Sequence, residues 1–269
     1  MNYHRPINFF ILTYAWSWPL WLILGLTSQS LEGAYAYAIF ALAGIGPSLM
    51  GLVFARRSGN AEHWKRFVRR IFDPRFIGAR WYAFIFAIIP LTSLVALGLY
   101  LLSGNIMPSF ETFSSYLANP ATFVSFAAFT FLFGPIPEEI GWRGFAQDRL
   151  EPAYGWAKAG LIIGVGWAIW HIPLFLIPGS YQNGLFDTSN YLVMDFFIQF
   201  LFLSVIACWI RHRNRGSILS AILFHFAVNY VGEIMELPAE VMYLRTFVQA
   251  VLVLIIVTYD YRKRRNKRK

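Results

Sequence analysis

An all-α, polytopic membrane fold, a bundle of about eight transmembrane helices, follows from three observations on the sequence. Of its 269 residues 57% are hydrophobic and 19% aromatic while only 14% are charged, an apolar excess for which a soluble globule has no use. Apolar runs of about 20 residues, the length that crosses a hydrocarbon core of roughly 30 Å, recur along the chain. Lys and Arg collect between alternate runs, as expected where basic loops are retained on one side of a membrane.

The runs lie near 7–28, 34–55, 81–103, 118–138, 158–177, 190–210, 217–234 and 240–259. An unpaired backbone polar group in lipid costs several kcal/mol, so continuous runs of this length are helices and not barrel strands. The first lacks a basic leader and a small-residue cleavage site, and Trp16, Trp18 and Trp21 suit a retained anchor. The second carries Gly44, Gly46 and Gly51, which permit close helix approach. Between it and the third, residues 62–81 interleave Trp64, Phe67, Ile71 and Phe72 with bases, the pattern of an amphipathic segment lying on the membrane surface. The third run, 81–103, is plain apolar sequence. Near the end of the fourth, Pro135 and Pro137 should disturb the helix and free carbonyl groups. In the fifth, Gly160 and Gly164 form a small-residue packing face. Asp195, early in the sixth, is expected at the outer interface. The seventh carries His225 and Asn229. The eighth ends at Asp260, at the membrane edge, and runs into the basic tail 261–269, suited to anionic headgroups.

Of the 23 Lys and Arg, all but Arg245 fall before the first run, between runs two and three, four and five, or six and seven, or after the eighth. Both termini are therefore expected in the cytoplasm. The same topology accounts for the net charge of +9, so no nucleic acid partner is expected; the expected partners are membrane lipid and a peptide or protein substrate. Cys208 is a lone cysteine, which leaves neither a disulfide framework nor a thiolate metal cluster. With no linker visible, residues 1–269 read as one integral-membrane domain whose core is 118–234.

Six polar side chains stand inside the apolar runs or at their ends: Glu138, Glu139 and Arg143 at the end of the fourth, His171 in the fifth, His225 and Asn229 in the seventh. Such groups are rare at membrane depth and usually face one another around a working site. Glu139 and Arg143 are spaced i, i+4 for a charge pair, which leaves Glu138 about 100° around the helix. His225 and Asn229 share a face by the same spacing. Counted in turns from the basic loops, Glu138, His171 and His225 reach similar depths in the cytoplasmic half. The expected product is a water-filled, cytosol-facing catalytic cavity.

Carboxylate, imidazole and carboxamide groups around water suit hydrolysis. Glu138 is the expected base, with Glu139 its rival for that role. His171 orients the water and shuttles its proton; His225 and Asn229 donate to the oxyanion; Glu139, Arg143 and the aromatic Trp167 stand behind them. A metal-free reaction is expected. A metal-dependent one would use Glu138, His171 and His225 to hold zinc with an open position, although the His-Glu-x-x-His spacing of many zinc proteases is absent.

Glu-Glu-x-x-x-Arg at 138–143, an aromatic-x-x-x-His at 167–171 and His-x-x-x-Asn at 225–229 resemble, in that order, the CAAX prenyl protease type II family, also called CPBP. That family spans eukaryotic CAAX endopeptidases and Abi-like prokaryotic membrane proteins linked to bacteriocin processing or self-immunity. The resemblance implies an intramembrane endopeptidase with eight helices. It carries Glu138, His171, His225 and Asn229 over as its glutamate, two histidines and asparagine. Trp167 departs from the Phe common at the start of the second motif. The compact chain points to a prokaryotic cell membrane and to CAAX-like or peptide-precursor substrates. The alternative from another class is a non-catalytic transporter or bacteriocin immunity factor, which would use the same cluster to bind a ligand or proton.

Overall fold

The computed structural model describes residues 4–266 and is built of helices, with no strand among the described residues. Lys267, Arg268 and Lys269 of the basic tail lie outside the described residues. In chain order the helices are α1 (Pro6–Leu26), α2 (Ala34–Gly44), α3 (Gly46–Arg57), α4 (Ala61–Phe72), α5 (Ala79–Leu102), α6 (Glu111–Ala118) and α7 (Pro120–Phe133). They continue with α8 (Pro135–Glu139), a π-helix (Ile140–Ala146), α9 (Gln147–Trp170), α10 (Tyr181–Thr188), α11 (Asn190–Arg213), α12 (Ile218–Met235) and α13 (Ala239–Asn266). Among the described residues seven helical stretches are long and apolar enough to cross a membrane. Their number, length and apolarity are those of an integral membrane protein.

Six of those stretches coincide with expected runs, and the seventh, Pro120–Leu176, holds the expected fourth and fifth together. The difference has a physical cause. Apolar sequence ends where Glu138 begins, but helix does not, because Glu138, Glu139, Arg143 and Gln147 are buried and find partners inside the bundle. The chain turns instead at Gly155, whose φ of 75° and ψ of 161° lie in a region glycine enters without steric cost. The disturbance expected around Pro135 is present at Gly134, where φ is −120° and ψ −77°.

Bulky aromatics fill the centre: Phe9 and Phe10 of α1 pack on Trp142, with ring centroids 5.4 and 5.6 Å away, and Phe54 of α3 packs on Phe145 at 5.2 Å. Glycines set how near the backbones come. A Cβ on Gly51 would lie 2.7 Å from Gly141 Cα, and one on Gly160 would lie 2.8 Å from Val205 Cα. Gly164 faces Leu201 Cα in the same way at 3.1 Å, so the Gly160/Gly164 face is the contact of α9 with α11, and Ser204 Oγ closes it by donating to the Gly160 carbonyl at 2.7 Å. Gly44 meets nothing within 4 Å and has no part in packing. Since a Cβ on Gly141 would overlap the Pro47 carbonyl, Gly141→Ala should push α3 off the π-helix. Overpacking of this kind costs about 1–3 kcal/mol, measurable as a lowered thermal midpoint in detergent, whereas Gly44→Ala should leave the midpoint in place.

The amphipathic segment forms α4, with Phe67 and Ile71 buried against the bundle while Lys65, Arg66 and Arg69 are exposed. Arg70 pins it by a two-pronged bond to Asp148 of α9, at 2.8 and 2.5 Å. Arg211 of α11 shares Asp148 and reaches Glu151 at 3.3 Å. At the corner into α5, the Arg75 and Arg69 guanidiniums hold the Asp73 carboxyl well below the usual carboxylate range. Asp195, near the start of α11, is buried at 8% exposure alongside Arg245 of α13, which donates to Gln199 at 3.4 Å. Helix formation puts residues 195 and 199 of α11 on one face, and α13 covers that face.

Candidate active site

Glu138 and Glu139 close α8, one turn after the break at Gly134, and the π-helix that follows carries Arg143. A π-helix widens one turn and recurs at functional sites. The i, i+4 pair forms as expected: Arg143 Nη1 donates to Glu139 Oε1 at 2.7 Å, and both side chains have 0% exposure. His225 of α12 uses the same oxygen, with Nδ1 2.9 Å from Glu139 Oε1. A carboxylate only accepts, so Nδ1 carries the proton and Nε2 of a neutral ring presents its lone pair. The Arg143 guanidinium also lies over the Trp167 ring, 4.3 Å from its centroid, a cation–π contact strengthened by exclusion of water.

Glu138 points another way from Glu139. Its Oε2 accepts a short hydrogen bond from the Trp167 indole Nε1, and no hydrogen bond to Oε1 is found among the described residues. His171 stands at the end of α9, where the helix tightens into a 3₁₀ turn at Ile172–Leu176. Its Nδ1 lies 2.8 Å from the Trp167 carbonyl oxygen. A carbonyl only accepts, so here too Nδ1 is the donor and Nε2 is the open nitrogen. Phe200 and Phe196 of α11 pack on the His171 ring at 4.7 and 5.6 Å and fix its plane. The Trp167 ring lies 5.0 Å from the His225 ring and 6.1 Å from that of His171.

Glu138, Glu139, Arg143, His171 and His225 thus surround one tryptophan, and all five are buried. Asn229 is half-buried one turn along α12 from His225, and its amide nitrogen lies 3.0 Å from where a Cβ on Gly134 would stand. The structure thus brings Glu138, Glu139, Arg143, His171 and His225 together around Trp167 and sets Asn229 beside Gly134. Three contributors were missed: Gly134, which makes room for Asn229, and Phe196 and Phe200. The i, i+4 spacing of the two phenylalanines was a readable sign that they share a face; Gly134 offered no sign beyond its place before Pro135.

Among the described residues no three His, Cys, Asp or Glu side chains come together as a metal-holding group. Glu138 is turned to Trp167, and Glu139 is shared by Arg143 and His225. The zinc-holding set Glu138, His171 and His225 does not come together in this arrangement.

Residues 120–231 match the family model described as type II CAAX prenyl endopeptidase Rce1-like, a segment that includes every residue of the site. The chain is also 29% identical over 258 residues to CAAX prenyl protease 2 of Methanococcus maripaludis, an alignment covering 96% of this chain and 94% of that protein. The resemblance carried by the three motifs is thereby borne out: over the segment that holds the site, this chain is similar to the Rce1-like type II CAAX prenyl endopeptidases.

Proposed function

We propose that this chain is an intramembrane endopeptidase that hydrolyses a peptide bond of a membrane-associated substrate, either a CAAX-like prenylated tail or a peptide precursor. The observation that carries this reading is the division of labour between adjacent carboxylates. Glu139 is fully buried, with Oε1 met by both Arg143 and His225 and Oε2 sealed from solvent without a partner, while Glu138 is held by the Trp167 indole alone and forms no ion pair among the described residues. One carboxylate is left to do acid–base work, and the other fixes an imidazole.

In this mechanism Glu138 Oε1 takes a proton from a water molecule that also donates to His171 Nε2, and the water oxygen bonds to the scissile carbonyl carbon. The carbonyl oxygen becomes an oxyanion, held by the Asn229 amide N–H and, when His225 carries protons on both nitrogens, by its Nε2–H, with Glu139 as counter-charge. Collapse breaks the C–N bond, and the proton held by Glu138 passes to the leaving amine, with His171 as shuttle. The water-filled site opens to the cytosol and both termini are cytoplasmic, as the basic loops require. The protein sits in a prokaryotic cell membrane with lipid and its peptide substrate as partners.

The test uses purified protein in liposomes with two peptides, one carrying a prenylated C-terminal CAAX sequence and one an unprenylated membrane-anchored precursor, read by mass spectrometry of new termini. Cleavage of either is expected from the native protein. His225→Ala and Asn229→Ala should each slow it, by roughly 10²- to 10³-fold for loss of one oxyanion donor. Equal cleavage by native protein and both variants would overturn the assignment and favour a ligand- or proton-binding role. Activity should survive dialysis against 1,10-phenanthroline; loss that added zinc restores would replace metal-free catalysis by a metal-dependent version.

A further inference from the structure

Trp167 brings an indole N–H into the centre of the site, where it meets Glu138. We infer that Trp167 is a positioning residue whose Nε1–H holds Glu138 in its working orientation. This inference rests on the proposed role of Glu138 as base.

Three features separate this from ordinary aromatic packing. First, Trp167 Nε1 donates to Glu138 Oε2 across 29 residues of sequence, joining α9 to the end of α8. An indole is a donor only, so the bond fixes which carboxylate oxygen is engaged and leaves Oε1 without a hydrogen bond among the described residues. Second, the ring cannot swing away: Phe200 packs on it at 4.2 Å, Arg143 covers its face at 4.3 Å and the His225 ring meets it at 5.0 Å. With Trp167 only 3% exposed, the N–H is a fixed donor that needs no reorganisation when the reaction begins. Third, the backbone carbonyl of the same residue sets the His171 tautomer. One residue thereby orients the base through its side chain and the proton shuttle through its main chain, so their relative placement is set by a single rigid unit.

The side-chain part can be isolated. Site-specific replacement of Trp167 by 3-benzothienylalanine keeps the bicyclic shape and exchanges N–H for sulfur; Trp167→Phe removes both the N–H and part of the ring. A hydrogen bond to a charged group contributes about 1.5–3 kcal/mol, so the benzothienyl protein should lose roughly ten- to a hundredfold in kcat. Its KM and thermal midpoint should stay near native, because packing is retained. 5-Fluorotryptophan at the same position, which keeps the N–H, should restore the native rate. A native kcat for the benzothienyl protein overturns the inference, as does a loss matched by an equal fall in thermal midpoint. Glu138→Gln run in parallel separates the two levels. If it is inactive while the benzothienyl protein is native-like, only the positioning role fails; if it cleaves normally, the base assignment fails.

Discussion

Glu138→Gln is expected to abolish proteolysis while leaving the protein folded. The amide matches the carboxylate in size, and its carbonyl oxygen can still accept from Trp167 Nε1. What it cannot do is take a proton from water, and removing a positioned general base costs typically 10²- to 10⁴-fold in rate. Stability should change little, since Glu138 pairs with no cation and its one bond survives. Glu139→Gln makes the informative contrast. That substitution keeps an amide oxygen for His225 Nδ1 but removes the counter-charge of a fully buried guanidinium and of the imidazole, so activity and thermal midpoint should fall together. Initial rates with the liposome-embedded peptide and melting curves in detergent read both quantities. If Glu138→Gln retains a rate within a few-fold of native, or if Glu139→Gln alone is silent in stability, the roles of the two carboxylates are reversed or absent.

Part of this arrangement was legible in the sequence because it obeys local periodicity. Spacing of i, i+4 places Arg143 under Glu139 and Asn229 beside His225 whatever the tertiary structure does, and long apolar runs give the transmembrane helices directly. The contacts between segments were legible only as depth: counting turns brought His171, Glu138 and His225 to one level, but not which atom faces which. That His225 turns to Glu139 and not to Glu138 depends on the rotation of α12 about its axis, fixed by packing spread over the bundle. The expected loop after Glu138 failed for a related reason. Charge ends an apolar run in sequence, yet buried charges that satisfy one another let the helix continue through a π-turn to Gly155. The burial of Asp195 was not legible either, since nothing local to it announces the polar cover that α13 supplies.

Arg143→Met should be the most destabilising single change in the site, and a second substitution should reverse the damage to stability without restoring activity. Arg143 has 0% exposure and its charge is met by Glu139 at 2.7 Å and by the face of Trp167 at 4.3 Å. Methionine fills comparable space but leaves the Glu139 carboxylate buried, with the His225 ring as its remaining partner. Stranding one member of a buried ion pair costs about 3–5 kcal/mol, whereas exchanging both members for apolar side chains is often neutral or stabilising. The double variant Arg143→Met with Glu139→Leu is therefore expected to recover most of the lost thermal midpoint. It should nonetheless remain inactive, because leucine gives His225 Nδ1 nothing to donate to and the imidazole loses both its orientation and its counter-charge. A double variant that regains stability and activity together would show that the buried pair serves folding alone. One that regains neither would show that Glu139 and Arg143 act on the bundle through contacts beyond each other.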